Sequence, residues 1–254
     1  MTRQLLIYDR ATPVSQTRHG NWSVAATGVF TFARGINSVP LMVTEITAAA
    51  RDYCIVFAGQ GEAIMPAVVL GVREGENAYL DDGDRWRASY VPAFLRRYPF
   101  VFASDDQGKT FTLCIDEHYA GCNTDGRGQP LFDATGGETD YLRKVVEFSK
   151  QYQVEFQRTK ILCERLKSLD LFESTQAQIK LPDGRQFNLG GFYAVGRERL
   201  KALPAETLAE LAKSDLLELI YVHLQSMRNF SHLGQLSESG GEPSALHGPA
   251  AGTA

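Results

Sequence analysis

Short apolar runs separated by polar loops dominate the first half of the chain and predict a sheet of brief strands. Residues 53–58 (YCIVFA) and 66–72 (PAVVLGV) are almost continuously apolar and rich in β-branched residues, which is typical of buried strands. The polar residues 1–28 lack such a pattern and are expected to form an irregular arm lying on the domain. Shorter apolar runs predict further strands at 29–33, 78–81, 100–103 and 110–116.

Two short helices are predicted between these strands. Residues 44–52 combine three alanines with Thr44 as the N-cap. Pro92 suits the first turn of a second helix, and Pro99 ends it, because the residue before a proline is driven out of the helical region. The glycine-rich segment 117–137 is expected to be a loop.

Helical periodicity marks the second half of the chain. Between Thr139 and Ser168, apolar side chains recur at roughly helical spacing, which predicts one long amphipathic helix over about 139–168. This helix is expected to cover the sheet, and pairing with a copy of itself in a homodimer is the alternative. The members of the apolar stripe are Leu142, Val145, Tyr152, Phe156, Cys163 and Leu166.

A β-hairpin is predicted over about 175–195, because Asp183–Gly184 supplies a tight turn between two alternating apolar patterns. Gly190–Gly191 is expected to end its second strand. Two short helices and a final, mostly apolar helix over 216–236 follow. The small-residue segment 237–254 is expected to be a disordered tail.

Together these elements predict an α+β fold for a single domain over residues 1–236. Its sheet is expected to be mixed and mostly antiparallel, with short helical insertions. The long amphipathic helix and a C-terminal helical segment are expected to cover that sheet.

Charge and hydropathy narrow the classes of partner. The 254 residues carry a net charge of −4, which argues against nucleic acid because phosphate binding usually needs a basic face. No apolar stretch approaches the roughly 20 residues that a membrane span requires. The N-terminal run LLIY is too short for a signal peptide, so a cytoplasmic location is expected.

The four cysteines predict neither a disulfide framework nor a zinc site, since none of them forms a CxxC pair. Cys54, Cys114 and Cys163 lie in apolar contexts, whereas Cys122 is expected to be exposed. The motifs GxSxG, GxxxxGK[ST] and GxGxxG are all missing. No metal ion and no cofactor is therefore predicted.

The best candidates for acid–base or metal chemistry are Asp116, Glu117 and His118. They end a predicted strand at a glycine-rich loop, where functional residues often lie. Because adjacent side chains on a strand point to opposite faces, at most two of the three are expected to converge without a bend. The alternative interpretation is a solvated strand end.

Arg96, Arg97 and Tyr98 are candidates for binding a carboxylate or a phosphate, since guanidinium groups hold such anions with parallel hydrogen bonds. In the alternative interpretation, Ala93, Phe94 and Tyr98 are buried while the arginines are solvated or paired with neighbouring acids. Those acids are Asp81, Asp82 and Asp84.

Two histidines receive structural predictions. His223 lies in the apolar segment LIYVHLQ and is expected to be a core or interface histidine with a hydrogen-bond partner. His19 lies in the N-terminal arm and is expected to be mobile.

Six blocks of the sequence, in the expected order, resemble the SapC family of bacterial proteins. They span most of the chain, from about Phe30 to Leu233, which is more specific than any single motif. The family has no established reaction and no agreed catalytic residues. The blocks are 35–57 (GINSVPLMVTEITAAARDYCIVF), 68–77 (VVLGVREGEN), 86–103 (WRASYVPAFLRRYPFVFA), 113–117 (LCIDE), 181–195 (LPDGRQFNLGGFYAV) and 219–233 (LIYVHLQSMRNFSHL).

The resemblance implies genomic neighbours that are TonB-dependent receptors, flavin-dependent halogenase-like proteins and cupin-like proteins, and these are the implied partners. The first hypothesis is accordingly a non-enzymatic cytoplasmic binding or accessory protein, linked to uptake or to peptide or indole modification. An enzyme, either metal-dependent or metal-free, with a site near Asp116 and His118 and support from Arg96, is the alternative. The family name derives from a surface-layer cluster and implies a second alternative, a surface-layer-associated structural protein.

Overall fold

A computed structural model of the protein describes residues 6–104, 110–181 and 183–238. These residues form an α+β fold in which the paired strands run antiparallel, and this confirms the predicted fold class. The strands of the described residues are divided among three sheets instead of forming one.

Eleven strands occur within the described residues. They are β1 (Ala11–Pro13), β2 (Ser23–Val24), β3 (Ser38–Pro40), β4 (Cys54–Ala58), β5 (Met65–Val69), β6 (Phe100–Ser104), β7 (Phe111–Asp116), β8 (Cys122–Asn123), β9 (Gln129–Pro130), β10 (Phe172–Lys180) and β11 (Gln186–Val195). The largest sheet has the order β10-β11-β4-β5-β3, and the two smaller sheets have the orders β1-β7-β6 and β8-β2-β9.

Helices connect and cover these sheets. Within the described residues they are α1 (Gln16–His19), α2 (Ile46–Ala49), α3 (Ala93–Arg96), α4 (Asp140–Ser168), α5 (Arg197–Lys201), α6 (Ala205–Lys213), α7 (Leu216–Ser226) and α8 (Asn229–Glu238). Three short 3₁₀ turns lie at Thr31–Ala33, Val43–Glu45 and Gly61–Ala63. Contacts join α4 to β5, α7 to β4 and α8 to both β4 and β10.

Strand β4 lies at the centre of the core and is covered on both faces. Cys54, Ile55, Val56 and Phe57 are each at most 3% exposed. Because successive side chains along a strand alternate between its faces, burial of all four requires cover on both sides. The continuous apolar run that predicted this strand is explained by that double cover.

Helix α4 begins one residue after the start that the periodicity indicated. Thr139 is its N-cap, and Thr139 Oγ1 accepts a hydrogen bond from Leu142 N at 3.2 Å. Its buried stripe contains polar groups, among them Glu155 and Thr159. Thr159 Oγ1 accepts a hydrogen bond from Val43 N at 2.8 Å and so ties the helix to the turn before α2.

The strand predicted at 29–33 is wrong. Part of this run forms a 3₁₀ turn, and its two phenylalanines join an aromatic cluster instead of a sheet. Phe30 packs on Trp86 with ring centroids 5.4 Å apart, and Phe32 stacks on Tyr98 at 4.0 Å. The alternating positions of Phe30 and Phe32, which predicted a strand, instead serve the packing of both rings in this cluster.

The structure corrects three other expectations in the first half of the chain. Residues 78–81 contribute only an isolated bridge, between Leu80 and Trp86. The N-terminal arm is structured within the described residues, because β1 pairs with β7 and β2 lies between β8 and β9. The helix predicted at 44–52 is shorter, and Met42 rather than Thr44 precedes its first turn.

The C-terminal part differs at three boundaries. The predicted helix 216–236 is interrupted after α7, where Ile55 N donates to Ser226 Oγ at 3.1 Å and Asn229 Nδ2 donates to Tyr53 O at 2.8 Å. Strand β11 continues through Gly190–Gly191 instead of ending there. The first two residues of the expected tail complete α8, and the rest, 239–254, lies outside the described residues.

No helix in the described parts of the chain is both long enough and apolar enough to cross a bilayer. The single domain over residues 1–236 stays a prediction.

Candidate functional site

Asp116 lies buried at the end of β7 and is surrounded by hydrogen-bond donors. Asp116 is only 1% exposed to solvent. Asp116 Oδ2 accepts from Asp9 N at 2.9 Å and from Tyr98 Oη at 3.3 Å. Asp116 Oδ1 accepts from His118 N at 3.1 Å and from Arg10 N at 3.3 Å. This carboxylate therefore holds the segment before β1 against the end of β7.

Glu117 points to a different set of partners, on and beside α1. Arg18 donates to it through Nε and through Nη2, the latter at 2.7 Å from Glu117 Oε2. His19 Nε2 lies 3.2 Å from Glu117 Oε1. The hydrogen bonds from Arg18, followed by its charge and by His19, lower the pKa of Glu117 to about 2. Glu117 is therefore ionised at neutral pH and accepts the Arg18 hydrogen bonds as a carboxylate.

His19 is a structural residue, and the expectation that it is mobile is wrong. It is fully buried, and its Nδ1 accepts a hydrogen bond from Ser15 N at 3.2 Å. Because Nδ1 is an acceptor, Nε2 carries the proton and donates to Glu117 in the neutral ring. The ring also meets Trp22 edge-on with centroids 4.9 Å apart. The pairing of the arm with β7 explains this burial.

His118 faces outward, so the three adjacent candidates do not converge. Its side chain is 60% exposed, and Nδ1 lies 3.9 Å from Asp9 Oδ2 in a loose surface pair. The described residues contain no group of three or more His, Cys, Asp or Glu side chains that would hold a metal ion. Asp116, Glu117 and His118 have separate partners in this geometry.

Arg96 does not pair with the acids that the sequence offered. Asp81 instead pairs with Arg85, and Asp84 pairs with Arg34. Arg96 Nε donates to Val91 O at 2.9 Å, and its guanidinium lies over the rings of two aromatic residues, Tyr90 and Phe148.

Arg97 and Tyr98 belong to the core. Arg97 is 6% exposed, and its guanidinium carbon lies 4.4 Å from the ring centroid of Phe94 and 4.6 Å from that of Tyr152. Tyr98 is half-buried and donates to Asp116, as described above. Burial and the nearby Asp116 carboxylate raise the pKa of Tyr98. The alternative interpretation is right that Ala93 and Phe94 are buried. It is wrong that Arg97 is solvated, and Tyr98 is only half-buried.

His223 is a buried core histidine, as predicted. It is 1% exposed, its Nε2 accepts from Val195 N at 3.1 Å, and its Nδ1 lies 3.0 Å from Ile55 O. Because a carbonyl oxygen only accepts, Nδ1 carries the proton. Burial lowers the pKa of His223 to about 4, so the ring is neutral at neutral pH and bridges β11 to β4.

A cleft of about 1060 Å³ lies where α4 faces the β3 and β5 side of the largest sheet. One wall consists of α4 side chains, namely Tyr152, Phe156, Gln157 and Lys160. The other wall consists of residues in 35–40, 58–63 and 65–67. None of the six sequence-predicted candidates lines this cleft. Sequence reasoning missed it because its two walls are at least 85 positions apart in the chain, from Ala67 to Tyr152.

Gly59 shapes the rim of this cleft through its backbone. Its φ is +123°, and a methyl group on its Cα would lie 2.2 Å from Ala63 O. Gly61, in the same loop, has φ +58° and open space around the corresponding position. We expect Gly59→Ala to lower the free energy of unfolding by more than about 2 kcal/mol, because the cost of the positive φ and the cost of the clash with Ala63 O are summed.

The matched variant Gly61→Ala is expected to cost only about 1 kcal/mol, which is the steric penalty of the left-handed conformation alone. Urea unfolding of the two variants measures the difference. Equal losses in the two variants would contradict the close approach of Gly59 to Ala63.

Comparison with known proteins finds one family. A family model described as SapC matches residues 14–233, which is most of the chain. No curated protein and no solved structure matches the chain.

Proposed function

The chain belongs to the SapC family, and from this premise we propose that it is an accessory protein that binds a small organic ligand in the cleft beside α4. The size of the cleft carries this proposal. Its volume of about 1060 Å³ slightly exceeds the roughly 300–1,000 Å³ that is typical of organic-ligand sites.

The lining of the cleft supports the same proposal. Ile36, Met65 and Phe156 supply apolar surface, whereas Gln157 and Lys160 supply polar groups on the α4 wall. Ligand sites combine apolar surface for affinity with polar groups for orientation, and the lining also includes the acidic residues Glu62 and Glu74. Lys160 Nζ lies 3.6 Å from Glu164 Oε1 in a weak exposed pair, so this ammonium group can turn to a ligand acceptor at little cost.

We further propose a cytoplasmic location and a role beside the implied partners, which are a TonB-dependent receptor, a halogenase-like protein and a cupin-like protein. The resemblance to the SapC family supports the choice of partners. Affinity purification of the tagged full chain from its host tests it. Enrichment of a member of these classes is expected, and recovery in the surface-layer fraction without any of them would favour the structural alternative.

The metal-dependent alternative at Asp116 and His118 gains no support from the geometry. Asp116 accepts hydrogen bonds from four donors, three of them backbone N–H groups. The backbone N–H of His118 is one of these donors, but the His118 side chain is exposed to solvent. A metal ion there would have to displace those donors. Binding is therefore the better-supported function.

We expect Gln157→Trp to weaken ligand binding about tenfold or more, because the indole ring occupies part of the cleft. Gln157 is an exposed residue of α4 that lines the cleft. Saturation-transfer NMR with a fragment mixture that includes indole measures binding to the full chain.

Ile161→Trp is the matched control, since Ile161 lies on the same helix, is 66% exposed and is not part of the cleft lining. Wild type and Ile161→Trp are expected to give the same set of bound fragments. If Gln157→Trp binds that set equally well, the cleft is not the ligand site.

A further inference from the structure

A second, smaller pocket lies on the other side of Tyr152, between α4 and the segment that contains α3. Its volume is about 170 Å³, which is room for roughly five water molecules or for one small organic molecule. The residues that line it are Met42, Thr44, Glu45, Tyr90, Ala93, Arg96, Phe148, Gln151, Tyr152 and Glu155.

Two buried carboxylates line this pocket, and one of them is fully engaged by the protein. Glu45 is 5% exposed. Its Oε1 accepts from Ala93 N at 2.7 Å and from Tyr90 Oη at 2.8 Å, and its Oε2 accepts from Met42 N at 2.9 Å. These three bonds fix the 3₁₀ turn before α2 against the start of α3, so Glu45 has a structural role.

The second carboxylate is only half engaged. Glu155 is 6% exposed, and its Oε1 accepts from Gln151 Nε2 and from Arg158 Nη1, each at 2.9 Å. Its Oε2 is shielded from solvent and has no hydrogen-bond donor among the described residues. A buried carboxylate oxygen without a donor has given up its hydrogen bonds to water and gained none in return. Glu155, which lines the pocket, therefore has an acceptor that lacks a donor.

The remaining walls give a small ligand an apolar surface to pack against. Tyr90, Phe148 and Tyr152 contribute aromatic rings, and each of these rings already faces a guanidinium. Arg96 lies 5.5 Å from the Phe148 centroid and 5.6 Å from that of Tyr90, and Arg97 lies 4.6 Å from that of Tyr152. Arg96 is an exposed residue, so its positive charge lies near solvent while Glu155 is buried.

We propose that this pocket binds a primary ammonium group, which donates a hydrogen bond to Glu155 Oε2 while its carbon atoms pack against Phe148 and Tyr152. A free alkylamine and an amino acid both carry this group. Arg96 favours the amino acid, because its guanidinium can face the carboxylate of a zwitterion whose ammonium group is bound by Glu155. The pocket volume limits the ligand to a few non-hydrogen atoms.

Amide NMR titration of the full chain near neutral pH tests the proposal. The probes are ethylammonium chloride and L-alanine, with sodium chloride as the ionic control and tetramethylammonium chloride as a cation that lacks an N–H donor. Saturable shifts of the Ala93 and Gln151 amides, which belong to residues that line the pocket and not the cleft, are expected with ethylammonium or alanine. Tighter binding of alanine would identify an amino acid as the ligand class, and tighter binding of ethylammonium would identify a free amine.

Glu155→Gln is expected to weaken that binding about tenfold or more, since it replaces a charged acceptor by an amide of the same shape. Glu164→Gln is the matched control, because Glu164 lies on the same helix with a side chain that is 53% exposed. Tetramethylammonium is expected to bind at least about tenfold more weakly than ethylammonium to the wild-type protein, a comparison that does not depend on how the variant folds.

Any one of three results would overturn the proposal. They are the absence of a saturable shift with either amine at tens of millimolar, equal binding of tetramethylammonium and ethylammonium, and equal binding to Glu155→Gln and to wild type. The pocket and the cleft are tested separately, because Gln157 lines only the cleft and Glu155 lines only the pocket.

Discussion

Asp116→Ala is expected to lower the free energy of unfolding by roughly 3–5 kcal/mol, because four neutral donors lose a charged acceptor at once. The substitution removes the acceptor for Asp9 N, Arg10 N, His118 N and Tyr98 Oη. The donors that stay buried then lose a hydrogen bond without gaining water. The attachment of the N-terminal segment to β7 is expected to loosen first, because two of the four donors belong to it.

His118→Ala is the matched control for this effect, since it changes an exposed side chain two residues away. Its cost is expected to stay within about 0.5 kcal/mol. Urea unfolding followed by circular dichroism measures both variants. Similar small losses in the two variants would contradict the structural role of Asp116 and would restore it as a candidate for chemistry.

Acidification is expected to destabilise the protein through His223. Its pKa is lowered from 6.5 to about 4 by burial, so between these pH values the unfolded chain binds a proton that the native state does not bind. The free energy of unfolding therefore falls as the pH falls through this window. Above pH 6.5 the lowered pKa of His223 adds nothing to the cost of folding. Protonation of the unfolded chain at lower pH reduces the free energy of unfolding by up to about 3 kcal/mol.

The variant His223→Gln isolates this contribution. It is expected to be less stable at neutral pH, because at least one of the hydrogen bonds with Val195 and Ile55 is lost. Its stability is also expected to lose most of the dependence on pH between 6.5 and 4.5, whereas His118→Ala keeps it. A series of urea unfolding curves across this pH range measures the slopes, and an unchanged slope in His223→Gln would contradict the assignment.

The elements that local patterns define were predictable. The apolar runs of β4 and β5, the periodicity of α4 and the turn of the β10–β11 hairpin are each visible within a short window of sequence. The run at 29–33 misled because Phe30 and Phe32 alternate as in a strand, although tertiary packing on Trp86 and Tyr98 decides their conformation.

Contacts distant in sequence could not be predicted in the same way. The partners of Asp116 on Asp9 and Arg10 are more than 100 positions away in the chain, and His19, a partner of Glu117, is 98 positions away. The sequence alone therefore marked Asp116–Glu117–His118 as a candidate site without the donors that give two of them structural roles. The cleft and the pocket escaped prediction for the same reason, because their walls come together only through the packing of α4.

These contacts separate residues that stabilise the fold from surfaces that are open to a ligand. Asp116, Arg97 and His223 are buried and engaged. The cleft beside α4 and the pocket at Glu155 instead combine space with polar groups. Our proposal therefore puts ligand binding at α4 and not at the end of β7.

Native mass spectrometry of the full chain, purified from its own host without denaturation, measures this ligand binding most directly. Wild type and Ile161→Trp are expected to carry the same small organic molecule, and Gln157→Trp is expected to carry little of it. A protein without any bound molecule, or an equal load on all three forms, would contradict a ligand site in the cleft.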